Sequence, residues 1–142
     1  MASTAITPYL FFGGRCEEAL EFYRAALGAE VEMVMRFDES PEPTPPGMLP
    51  PGFEKKVMHA SFRVRGIQLF ASDGCEDGAK MVGVQLALTV PTEEDARKVF
   101  DALADGGSVQ MPLTKTFWSP CYGMLTDRFG LAWMVMVPGP SD

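Results

Sequence analysis

Ile6-Thr7-Pro8-Tyr9-Leu10-Phe11-Phe12 reads as a strand, and the helix that follows carries Ala19, Phe22, Tyr23, Ala26 and Leu27 on one face. The second half repeats the pattern. Val82 to Val90 reads as a strand, and its helix carries Ala96, Val99, Phe100, Leu103 and Ala104. The helix residues correspond pairwise at a constant offset of 77, and the same shift lays Pro8 to Phe12 over Gln85 to Thr89. Two copies are too few for a solenoid. They predict a paired, pseudo-symmetric domain with any site between its halves, each half contributing one wall.

The punctuation supports this. Gly13-Gly14 closes the first strand, acidic residues at Glu17 and Glu18 suit the positive end of a helix, and Gly28 stands where a left-handed cap is expected. Strands are predicted over 30–37, Val57 to Val64 and Ile67 to Ser72, with Arg65-Gly66 as a tight turn. In the second half Pro91 ends the strand. Thr92-Glu93-Glu94-Asp95 has the form of a capping box, and Gly106-Gly107 ends the helix. Strands over 109–115, 122–127 and 132–137 complete the chain. Each half is therefore strand-helix-strand-strand-strand, module one over about 5–74 and module two over about 80–138, within one domain of 142 residues. The proline-dense stretch 39–52 fits neither helix nor sheet interior; it is a binding loop or a surface excursion.

Composition narrows the function. Twelve Lys and Arg against 19 Asp and Glu give a formal charge of −7, which repels phosphate backbones and anionic lipid. No nucleic-acid or membrane partner is expected, and no apolar run is long enough to span a bilayer. The first residues carry no basic region, so no signal peptide is expected. Cys16, Cys75 and Cys121, odd in number and widely spaced, suggest reduced thiols in a cytoplasm.

Several ordered motifs carry a family resemblance: Pro8-Tyr9-Leu10-Phe11-Phe12, Glu18-Ala19-Leu20-Glu21-Phe22-Tyr23, Leu27-Gly28-Ala29-Glu30, Met58-His59-Ala60, Ala71-Ser72-Asp73, Thr116-Phe117-Trp118, and the run from Gly123 to Met134. The chain resembles the PhnB-like branch of the vicinal oxygen chelate superfamily, the glyoxalase, bleomycin-resistance and extradiol-dioxygenase group. The likeness extends over roughly 6–137. It implies an α+β fold of two βαβββ modules, with curved mixed sheets around a shared cleft. Some relatives bear the name of a demethylubiquinone methyltransferase. No glycine-rich nucleotide turn with a downstream acidic residue accompanies that name here, since Gly13-Gly14 serves a short turn equally well.

Enzymes of the superfamily hold a divalent metal on the first and last strands of each module. The resemblance places those positions at Pro8 and Gln85, and at Phe70 (or Gln68) and Met134. Proline, phenylalanine and methionine offer no hard ligand, so no metal and no cofactor are expected. His59, the only histidine, is the candidate acid or base, with Ser61 and Arg63 on its face. Asp73 either orients His59 or caps the turn at Gly74. Phe117 and Trp118 on an irregular stretch cap a ligand or bury against a partner subunit, and relatives commonly associate as homodimers. Cys121 reads as an inert thiol. The ligand-binding candidates are thus Leu10, Phe12, His59, Arg63, Phe70, Gln85, Trp118 and Met134. The expected function is metal-independent binding or sequestration of a small molecule. The alternative is a lyase or isomerase using His59.

Overall fold

A computed structural model describes residues 4–42, 45–74 and 76–139. It forms two compact units, Met1–Lys80 and Met81–Asp142. The first contains β1 (Tyr9–Phe11), α1 (Cys16–Leu27), β2 (Glu30–Arg36), β3 (Val57–Val64) and β4 (Ile67–Ser72). The second contains β5 (Gln85–Thr89), α2 (Glu93–Ala104), β6 (Ser108–Thr114), β7 (Tyr122–Thr126) and β8 (Ala132–Met136). Each unit is a helix on a four-stranded mixed sheet, ordered β1-β4-β3-β2 and β5-β8-β7-β6. In both, the first strand runs parallel to the last and the other pairings are antiparallel. This is the predicted α+β arrangement of two βαβββ modules.

The helices form where the apolar spacing placed them. In unit one, Cys16, Ala19, Leu20, Tyr23 and Leu27 are buried. Tyr23 stacks on Phe62 of β3 with ring centroids 6.3 Å apart, and lies 6.0 Å from Phe12. Gly28 ends α1 at φ 70°, its N–H bonded to the Arg24 carbonyl, so the left-handed cap is present. In unit two, Ala96, Val99, Phe100 and Leu103 are buried, and the Thr92 hydroxyl accepts the Asp95 amide at 3.1 Å.

One part of the repeat is corrected. The helices are related by 77, Cys16 to Glu93. The strands before them are related by 78, Phe12 to Val90. Phe12 N donates to the Ser72 carbonyl as Val90 N donates to that of Met136, and both residues are buried. The cause is turn length: Phe12-Gly13-Gly14-Arg15 joins β1 to α1, but only Val90-Pro91-Thr92 joins β5 to α2. A one-residue slip exchanges the two faces of a strand. Pro8 is therefore not the counterpart of Gln85; Pro8 accepts the Phe70 amide through its carbonyl at 3.0 Å.

Both ends of the proline-dense stretch are pinned. The Phe37 amide donates to the Lys56 carbonyl, Arg36 bonds Glu17 and the Lys55 carbonyl, and Lys55 pairs with Asp38 at 2.7 Å. Pro43 and Thr44 lie outside the described residues, as does Cys75. No helix among the described residues is long and apolar enough to cross a membrane.

Candidate functional site

Strand alternation gives the first sheet two faces. One packs under α1 and holds Leu10, Phe12, Ala60, Phe62, Val64, Leu69 and Ala71, all buried. The other is open, and holds Tyr9 and Phe11 of β1, His59, Ser61 and Arg63 of β3, and Gln68 and Phe70 of β4. Leu10 and Phe12, named as ligand-binding candidates from the sequence, thus lie on the helix side at 5% exposure each, whereas Tyr9 and Phe11 are 40% and 44% exposed.

The register brings four rings together on the open face. Tyr9 is paired with Phe70, and Ser61, two residues beyond His59, is paired with Phe70 from the other side. Ring centroids are 5.0 Å apart for Tyr9–Phe11, 5.5 Å for Tyr9–His59, 5.9 Å for Tyr9–Phe70 and 5.1 Å for His59–Phe70. These lie within the range of favourable aromatic contacts. The Tyr9 hydroxyl and His59 Nδ1 are hydrogen-bonded at 2.8 Å. Partial burial, aided by the nearby Cys16, pushes the Tyr9 phenol above its ordinary pKa, so it remains protonated at neutral pH.

Beside the rings lies a polar network. Glu32 sits in a bulge of β2, between the register positions Val31 and Met33. Its carboxylate accepts from Ser61 Oγ at 3.0 Å and Arg63 Nε at 2.9 Å, and Gln68 Nε2 donates to Ser61 Oγ at 2.9 Å. The hydrogen bonds from Arg63 and Ser61 hold Glu32 below its usual carboxylate pKa. Arg63, a sequence candidate, is thus committed to Glu32 and to the Gly66 carbonyl at 3.0 Å.

Asp73 does not reach His59. It is 1% exposed and sits at the start of α1, where no local side chain caps the helix. Its Oδ1 accepts from the amides of Gly14 at 2.8 Å and Cys16 at 2.7 Å, and its Oδ2 from that of Val57 at 2.8 Å. The buried carboxylate therefore replaces the missing cap and ties the β1–α1 turn to β3. It also pushes the Cys16 thiol up, after burial, which is the larger cause. Gly13 is equally committed: its φ is +56°, its carbonyl accepts the Gly78 amide, and an added Cβ would stand 2.5 Å from Ala79 N. The helix N-terminus, a general anion site, here receives the chain's own carboxylate.

In unit two, Gln85 and Met134 share the open face. Gln85 is paired with Ala132, and Ala87 with Met134. Met111, Met124 and Met134 form a cross-strand row through the pairings Met111–Met124 and Met124–Met134, a polarizable and adaptable surface. Trp118 is 45% exposed and packs edge-on against Tyr122 at 5.3 Å and Phe117 at 4.7 Å; Phe117 is 95% exposed. Burial pushes the Cys121 thiol up, away from nucleophile behaviour.

The donor set at the superfamily's metal positions does not fit a divalent ion. Thr7, 78 residues before Gln85, offers only a hydroxyl, Phe70 and Met134 offer no hard donor, the Gln68 amide already bonds Ser61, and Gln85 is a single amide. Among the described residues no three His, Cys, Asp or Glu side chains gather where an ion could sit.

Two helix-on-sheet modules, each with its first strand parallel to its last, define the class of glyoxalase and bleomycin-resistance proteins. A glyoxylase/bleomycin resistance protein/dioxygenase domain from Frankia sp. EAN1pec shares the fold at TM-score 0.66 and 14% identity, over 97% of this chain and 99% of that one. Within the class, the family model described as 3-demethylubiquinone-9 3-methyltransferase matches residues 4–136. The chain belongs to that family, and its fold is that of the glyoxalase and bleomycin-resistance proteins. It is similar to protein PA1353 from Pseudomonas aeruginosa, with 42% identity and TM-score 0.83 over 96% of this chain and 98% of that one. It is 35% identical to protein YjdN of Escherichia coli (strain K12), over 93% of this chain and 94% of the relative. A putative 3-demethylubiquinone-9 3-methyltransferase, PhnB protein, from Bacillus cereus is 31% identical, with TM-score 0.78 over 94% of this chain and 99% of that one.

Proposed function

We propose that this chain binds a small planar molecule, without a metal ion, on the open face of the first sheet. One observation carries the reading: Tyr9, Phe11, His59 and Phe70 form a ring cluster on that face, with two of the four at least 40% exposed. Exposed aromatic clusters in contact with polar groups are favourable ligand surfaces. A methyl-transfer role, as the family name suggests, finds no support in the β1–α1 turn, because Asp73 and the backbone at Gly78 and Ala79 already occupy it. The exposed Phe117 and Trp118 favour association as a homodimer. The odd number and wide spacing of the cysteines favour a cytoplasmic location.

The test is a thermal-shift screen of small aromatic compounds on chelator-treated protein, repeated with added divalent ions. Bound compounds raise the melting temperature without metal, and Phe70→Ala removes the effect. Stabilisation that appears only with a divalent ion contradicts the proposal.

A second reading rests on the 2.8 Å Tyr9–His59 hydrogen bond, which orients a titratable ring on the same face. In that reading His59 acts as acid or base on the bound molecule. Turnover of a bound compound that His59→Ala abolishes would favour it.

A further inference from the structure

The Tyr9–His59 hydrogen bond has a polarity, and the polarity selects a ligand. The phenol is an acid of ordinary pKa about 10, while a neutral imidazole N–H is a far weaker acid and its bare nitrogen a good base. The favoured arrangement is therefore O–H donating to Nδ1, with the imidazole proton on Nε2. Phenol ionisation does not compete, because burial raises the Tyr9 pKa. Nε2 makes no hydrogen bond to any described residue, and the ring packs against those of both Tyr9 and Phe70. On the strand beside it the opposing residue is Met35, which offers no strong acceptor. The carboxylate network on the same face, Glu32 with Ser61, Arg63 and Gln68, is closed upon itself.

We infer that Tyr9 is a positioning residue that holds His59 as the Nε2–H tautomer, so that the ring cluster recognises a planar molecule bearing an oxygen acceptor, a ring carbonyl or phenolate. The inference rests on the proposed binding face and adds to it the chemical class of ligand. The rings supply stacking area, which is indifferent to substituents. The Nε2–H supplies the discrimination, because its partner must be an acceptor.

His59 is the only histidine in the chain, so its imidazole nitrogens can be observed by ¹⁵N NMR without assignment. With the imidazole neutral, the wild type is expected to show a bare Nδ1 and a protonated Nε2, and Tyr9→Phe to move the Nδ1 resonance. The binding probes are 1-indanone and indane, which differ by one carbonyl oxygen. Chelator-treated wild type is expected to bind 1-indanone about 3- to 10-fold tighter than indane, the range a single neutral hydrogen bond sustains. His59→Phe keeps a ring and removes the donor, and is expected to bring the two affinities within about twofold. A proton on Nδ1, or a carbonyl preference that survives in His59→Phe, overturns the inference. Equal binding of both probes to the wild type overturns it while leaving the binding face in place. Binding of neither overturns both.

Discussion

Replacing Asp73 by Asn tests how the first module is held together. Both residues have the same shape, but the carboxylate accepts three backbone amides, those of Gly14, Cys16 and Val57, at 2.7–2.8 Å. An Asn whose oxygen serves Gly14 and Cys16 turns its NH2 group toward the Val57 amide, donor against donor. Hydrogen bonds to a charged acceptor contribute about 1.5–3 kcal/mol each, and a buried orphan donor costs about 1–3 kcal/mol. Loss of the negative charge at the start of α1 adds about 0.3–1 kcal/mol. The expected cost of Asp73→Asn is about 2–4 kcal/mol. Asp73→Ala, which orphans all three amides, should cost more, about 4–6 kcal/mol, a large share of the 5–15 kcal/mol typical of a domain. With a urea slope of about 2 kcal/mol per molar, Asp73→Asn lowers the unfolding midpoint by about 1–2 M. A midpoint within about 0.3 M of wild type, on the same slope, would refute the reasoning.

Other outcomes follow from neighbouring features. Gly13→Ala places a Cβ 2.5 Å from Ala79 N at φ +56° and should cost about 2–4 kcal/mol in urea unfolding; Gly52→Ala, at φ +84° with open space around it, should cost about 1 kcal/mol. Cys16 has a raised pKa in the folded state, so its contribution is complete below the unfolded thiol pKa of about 8.5 and is lost as pH rises above it. Wild type should therefore lose more stability than Cys16→Ala between about pH 8.5 and 10.5, and native Cys16 should resist alkylation that proceeds in urea. The depressed pKa of Glu17, caused by Arg36, acts in the opposite sense: its contribution is present above about pH 4.3 and fades on acidification, and Arg36→Ala should flatten that part of the acid limb. Tyr9→Phe removes one half-exposed hydroxyl and should leave urea stability within about 1 kcal/mol of wild type.

The fold was legible because its signals are redundant. Strands β3 and β4 alternate cleanly, so Val57–Val64 and Ile67–Ser72 are found where the sequence predicts them. The helices carry long apolar faces, with Gly28 and Thr92 marking their ends. The site was less legible, and β1 shows why. Tyr9-Leu10-Phe11-Phe12 is apolar at every position, so nothing in its pattern tells one face from the other. The helix offset, carried into the strand across turns that differ by one residue, matches Pro8 with Gln85, whereas the sheet registers relate the two strands by 78. Tyr9 was therefore missed as the partner of His59. Its signal, an aromatic residue bearing a hydroxyl among apolar neighbours, acquires meaning only when β1 pairs with β4. Glu32 was missed because a bulge turns it onto the open face, and Asp73 was read as a partner of His59 or a cap of the Gly74 turn because the helix it caps begins 57 residues earlier in the chain.

Calorimetric titration of one compound from the metal-free screen into chelator-treated wild type and into a Tyr9→Ser, Phe11→Ser variant tests the central claim most directly. Both substitutions lie on the open face and leave the core beneath α1 intact. The account predicts binding to the wild type without metal and a loss of affinity of at least about tenfold in the variant, with its fold retained, since two half-exposed rings carry the stacking surface. Unchanged affinity in the variant, or binding by the wild type only after a divalent ion is restored, would contradict it.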